Sequence, residues 1–176
     1  MKLREKHMKQ FSYASTLAAA LVAAGLLAVP QAQAAGACVD SVTAGGWIEV
    51  GPDLFANFGL NAETNLTTGE LSGELNYDDE NPQPKCHVVS TAIVSYTILS
   101  DTCREIVYDV TVNGVPGFTA DVIVCDNGES VLDPADTFSI TVTNTETGEI
   151  VEHCTVAETP LANGDVQVHP AHGNCL

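Results

Sequence analysis

Residues 106–114 read Ile106-Val107-Tyr108-Asp109-Val110-Thr111-Val112-Asn113-Gly114, and this stretch decides the fold class. Ile106, Tyr108, Val110 and Val112 share one side of an extended chain, with Asp109 and Thr111 on the other. Such period-two alternation describes a strand with one face buried and one wet. Asn113 and Gly114 both tolerate positive φ, so they predict a tight hairpin turn that sends the next strand back alongside. On that hairpin Cys103 and Cys125 stand nearly opposite one another on the two arms.

Working outward, Phe138-Ser139-Ile140-Thr141-Val142 repeats the alternation with Ser and Thr outward. No stretch after residue 35 holds helical periodicity over three turns, and short β-branched runs alternate with Gly, Asn, Asp and Pro. The pattern predicts strands at 46–50, 54–62, 71–77, 87–99, 104–112, 118–125, 137–143, 149–156 and 165–169. Glu146-Thr147-Gly148 and Ala162-Asn163-Gly164 are weaker turn signals. Consecutive strands joined by short turns give an all-β antiparallel meander. About nine short strands with edges to hide predict closure into a barrel, with a two-sheet sandwich as the alternative.

The N-terminus reads as an export signal, residues 1–34. Lys2, Arg4, Lys6 and Lys9 precede an alanine-rich apolar run over 11–29, and Ala32-Gln33-Ala34 offers a cleavage site after Pro30. Ser12, Ser15 and Thr16 make the run weak for a membrane anchor. Cys38 follows small residues but lacks the Leu or Val of a lipidation site, and lipidating it would leave an odd number of cysteines. The expectation is one disulfide-stapled domain over 35–176 in the periplasm or outside the cell, with no membrane span once the signal is removed.

Four of the six Lys and Arg and one of the 23 acidic residues lie in that leader. Lys85 and Arg104 then face 22 acids, a net charge of −20. Nucleic acids and anionic membranes are repelled by such a chain. Six cysteines remain, Cys38, Cys86, Cys103, Cys125, Cys154 and Cys175, with no Cys-x-x-Cys among them. An even count in an exported chain reads as disulfides, and six permit fifteen pairings. The hairpin favours Cys103 with Cys125. Cys38 and Cys175 flank the first and last strands and so favour a terminal clamp, which leaves Cys86 with Cys154.

The ordered motifs resemble the post-COAP domain family of exported bacterial β modules. They are Val42-Thr43-Ala44-Gly45-Gly46-Trp47-Ile48, Ala56-Asn57-Phe58-Gly59-Leu60, Gly73-Glu74-Leu75-Asn76-Tyr77-Asp78 and His87-Val88-Val89-Ser90. Asn113-Gly114 with Gly117-Phe118, Val124-Cys125-Asp126-Asn127-Gly128-Glu129, Asp136-Thr137-Phe138-Ser139-Ile140 and Gly164-Asp165-Val166-Gln167-Val168-His169 complete the set. The resemblance covers nearly all of 38–169. It implies an all-β module, alone or at the end of larger exported proteins, with no established reaction. The chain departs from it at Tyr77-Asp78-Asp79-Glu80, where a histidine is expected after the acid, and by the inserted Asn81-Pro82-Gln83-Pro84 loop.

Sites are fewer. Asp126, Glu129, Asp133 and Asp136 place four carboxylates within eleven residues, as oxygen-rich calcium loops do, though not in EF-hand register. The plainer reading is a turn capped by Asp126. Asp78-Asp79-Glu80 is a second acidic candidate. Of His87, His153, His169 and His172, the last two have no cysteine or carboxylate at ligand spacing, and His87 reads as a satisfied surface or edge residue. Trp47, the single tryptophan, reads as a core anchor rather than a ligand-stacking platform. Neither a Gly-x-Ser-x-Gly elbow nor a His-Glu-x-x-His helix occurs. The leading expectation is therefore a non-enzymatic interaction or structural module without cofactor, its partner a protein or glycan. A calcium-dependent adhesion domain and a small carboxylate hydrolase are the alternatives.

Overall fold

The computed structural model describes residues 38–81, 84–128, 135–172 and 175. Eight antiparallel strands follow one another round a closed barrel, each paired with its sequence neighbours and the last with the first. They are β1 Val39–Gly51, β2 Leu54–Asn65, β3 Leu71–Asp79, β4 Cys86–Ile98, β5 Cys103–Val112, β6 Val115–Cys125, β7 Thr137–Asn144 and β8 Val156–His169. Closure removes the two exposed edges that an open meander would carry.

The interior follows from strand parity. Ile106, Tyr108, Val110 and Val112 are buried along β5, and Phe138, Ile140 and Val142 along β7. Phe58 and Phe138 stack with ring centroids 4.0 Å apart, and Tyr77 lies parallel to Phe138 at 6.2 Å. These rings fill the barrel axis, as expected of an eight-stranded barrel whose side chains meet in the middle.

Eight strands form rather than nine, and the difference lies in the last third. The strand expected at 149–156 is replaced by one bridge between Thr143 and Ile150 and a 3₁₀ turn at Glu152–Cys154. Cys154 is drawn inward to its bond with Cys86, so the chain turns at the place where a ladder would need it straight. The turn expected at Ala162-Asn163-Gly164 lies inside β8 instead. Gly164, at φ 117°, packs directly on the backbone of Gly45 and Gly46, and a Cβ there would strike that main chain. The glycine serves close strand approach, not reversal.

Asn113 and Gly114 make the expected hairpin, both at positive φ. Two further turns share one construction. In Asn65-Leu66-Thr67-Thr68-Gly69-Glu70, Asn65 Oδ1 accepts from the amides of Thr67 and Thr68, and Thr68 Oγ1 accepts from that of Glu70. In Asn144-Thr145-Glu146-Thr147-Gly148-Glu149 the same three bonds recur from Asn144 and Thr147. The asparagine carbonyl replaces a backbone acceptor and starts the reversal.

The three disulfides are Cys38–Cys175, Cys86–Cys154 and Cys103–Cys125, the terminal clamp, the remaining pair and the hairpin pair that the sequence favours. They close separations of 137, 68 and 22 residues. By loop-closure entropy these are worth about 5, 4 and 3 kcal/mol. Two of them bind the end of the barrel at which β1 begins, and Cys86–Cys154 binds the other.

Candidate functional site

The acidic loop between β6 and β7 does structural work in its described part. Asp136 is buried at the start of β7, and both its oxygens are taken by backbone amides. Asn127 donates to Oδ1 at 2.8 Å and Val166 to Oδ2 at 2.7 Å. Asp126 Oδ2 accepts from the Val168 amide at 3.2 Å. β7 and β8 pair only over Thr137–Ile140, so these two carboxylates supply the acceptors that β7 does not offer to the end of β8. Glu129 and Asp133 lie outside the described residues. Among the described residues no group of three His, Cys, Asp or Glu side chains converges as a metal site.

Asp78-Asp79-Glu80 diverges because successive strand residues point to opposite faces. Asp78 faces outward beside His87, Nδ1 to Oδ1 3.6 Å. Asp79 turns inward, where Oδ1 accepts from both nitrogens of Asn81. Glu80 pairs with Lys85. The Tyr77 hydroxyl is buried without a hydrogen-bond partner among the described residues. Burial, followed by the nearby Asp79 carboxylate, pushes its pKa well above the ordinary tyrosine value.

A buried ionic cluster closes the opposite end. Arg104 and Asp40 are 1% and 2% exposed. Nε donates to Oδ1 at 2.7 Å and Nη2 to Oδ2 at 2.9 Å, a bidentate pair. Arg104 Nη1 also donates to the carbonyls of Ser100 and Cys103. The Tyr96 hydroxyl donates to Asp40 Oδ1 at 2.6 Å and the Ala171 amide to Oδ2 at 3.3 Å. Burial alone would raise the Asp40 pKa, but the Arg104, Tyr96 and Ala171 contacts outweigh it and hold the carboxyl below its ordinary value. The cluster ties the starts of β1 and β5, the far half of β4 and the C-terminal segment across the barrel mouth. Sequence reading missed it. The signal was a lone arginine at inward parity with Ile106, Tyr108 and Val110.

Trp47 is not a core anchor. It is 54% exposed on the outside of β1, because inward parity on that strand goes to Val42 and Ile48. Phe58, Tyr77, Tyr108 and Phe138 take the interior instead. Asn57 and Asn163 are its cross-strand neighbours on β2 and β8. Phe55, also exposed, pairs with Glu49 and so sits diagonal to Trp47. The β1–β2 wall thus carries two exposed rings among amide and carboxylate side chains.

The wall is also interrupted between β3 and β4. Their ladder runs only from Asn76–Val89 to Asp79–Cys86. β4 then bulges twice, between Ser90 and Ala92 and between Ile93 and Ser95, and follows β5 away. Ser90 Oγ takes the Leu75 amide at 2.7 Å where the next ladder bond would fall. A cleft of about 490 Å³ opens there, lined by Leu60, Leu75, Glu74 and Asn76.

No family model, no curated protein and no solved structure matches the chain.

Proposed function

We propose that the protein is an exported, non-enzymatic interaction module of the post-COAP kind, and that it meets its partner through the outer β1–β2 wall. The observation that carries this is Trp47, a large ring left in water on a barrel whose interior other rings fill. Contiguous exposed apolar patches mark contact surfaces, and Trp47 lies diagonal to the exposed Phe55. Three disulfides are consistent with an oxidising compartment outside the cytoplasm. No helix among the described residues is long and apolar enough to cross a membrane.

The partner that suits this wall is a neutral glycan chain. Its apolar ring faces stack on Trp47 and Phe55, and its hydroxyls meet Asn57, Asn163 and Glu49. Binding to neutral polysaccharides is followed by tryptophan fluorescence, since Trp47 is the single reporter. A saturable emission shift that Phe55→Ala weakens supports the reading. An unchanged spectrum across the panel, or hydrolysis of any member above background, removes it.

A further inference from the structure

We infer that the parting between β3 and β4 is a strand-addition site for an extended basic peptide segment, a surface apart from the Trp47–Phe55 patch and independent of the glycan reading. Over Thr91–Ile98, β4 has ladder partners only in β5 among the described residues, so its other edge presents unpaired amides and carbonyls. Over Leu71–Glu74, beyond the Leu75 amide that Ser90 Oγ takes, the edge of β3 that faces it is likewise without a ladder. A strand edge with free backbone groups is a template for another strand.

Side chains define what fits. Apolar Leu60 and Leu75 line the cleft, and Val94 and Ile98 are exposed farther along β4. Glu74 on β3 lines the cleft and faces outward, and Asp109 faces outward on β5, beyond β4. Neither of the two Lys and Arg among the described residues offsets them: Lys85 pairs with Glu80, and Arg104 is buried on Asp40. A segment that alternates apolar and basic residues therefore matches both faces at once. Its small apolar side chains rest on the leucines, and its cations meet Glu74. The backbone pairing supplies affinity and the alternation supplies selectivity.

The test uses the oxidised full chain, isotope-labelled, titrated with an alternating lysine–valine decapeptide. Two controls run beside it: the same peptide N-methylated at alternate residues, and a glutamate–valine decapeptide. The expected result is saturable binding with amide shifts confined to Thr91–Ile98 and Leu71–Glu74. Each control binds at least about tenfold more weakly, because N-methylation keeps the charge and removes the donors. Glu74→Gln weakens the lysine peptide, whereas Trp47→Ala leaves it unchanged, which separates this site from the glycan wall. Absence of binding, equal binding of the N-methylated peptide, or shifts confined to another wall overturns the inference.

Discussion

The β5–β6 and β3–β4 pairs are both antiparallel neighbours in one barrel, yet they are joined very differently. β5 and β6 keep partners along ten successive rows from Cys103–Cys125 to Val112–Val115, closed by a hairpin at one end and a disulfide at the other. β3 and β4 keep four rows before β4 turns aside. The first pair is held by its own alternation and turn, which is local information. The second depends on groups far away in sequence. The outer half of β4 is anchored by Tyr96 on Asp40, and Asp40 is held by Arg104, 64 residues distant. A regular ladder needs no such anchor, but a strand that leaves its neighbour does.

The contrast is broken most severely at that anchor. Arg104→Met leaves Asp40 buried and uncompensated, and is expected to cost about 3–5 kcal/mol in chemical denaturation. The double variant Asp40→Leu with Arg104→Met lies much nearer the parent, since no charge is left unpaired. A single variant as mild as the double one contradicts the assigned role. The same pair sets an acid limit. The folded pKa of Asp40 is depressed, so its contribution is complete above the ordinary carboxyl value of about 4 and is lost as pH falls through the lower folded value. Thermal melts across that range should show the parent losing stability that the double variant does not lose.

A smaller change sharpens the comparison at the seam itself. Ser90→Ala deprives the Leu75 amide of its acceptor, at a cost of about 1 kcal/mol and with faster exchange at Leu75. The β5–β6 wall offers the opposite sign. Asp121 has one carboxylate oxygen without a partner among the described residues, and burial, then Glu105, raises its pKa. A raised carboxyl destabilises the fold at neutral pH and is relieved as protonation proceeds. Asp121→Asn should therefore stabilise by a few tenths to about 1 kcal/mol at pH 7, with the gain vanishing in acid.

What the sequence disclosed follows the same division. Alternation in β5 and β7, the Asn113-Gly114 turn and the cysteines flanking the strands are local signals, and they led to the barrel and to the pairs now seen. The twin Asn-x-x-Thr-Gly-Glu turns at 65–70 and 144–149 were equally local, and only the second was read. The errors arose where distant contacts override local pattern. Cys154 bends a stretch that reads as strand, Gly164 serves close approach where it reads as a turn, and Trp47 takes the wet side of a glycine-rich strand. Of the acidic loop, Asp126 and Asp136 hold the β8 amides of Val168 and Val166, a pairing that no spacing along the chain announces.

Residue-resolved amide hydrogen exchange on the oxidised chain tests the barrel and its seam together. Slow exchange along Arg104–Val112 and Thr119–Val124, with fast exchange on the unpaired edges of Leu71–Glu74 and Thr91–Ile98, is the predicted pattern. Protection across 71–74 and 91–98 equal to that of the β5–β6 ladder would contradict it, because those edges would then be paired.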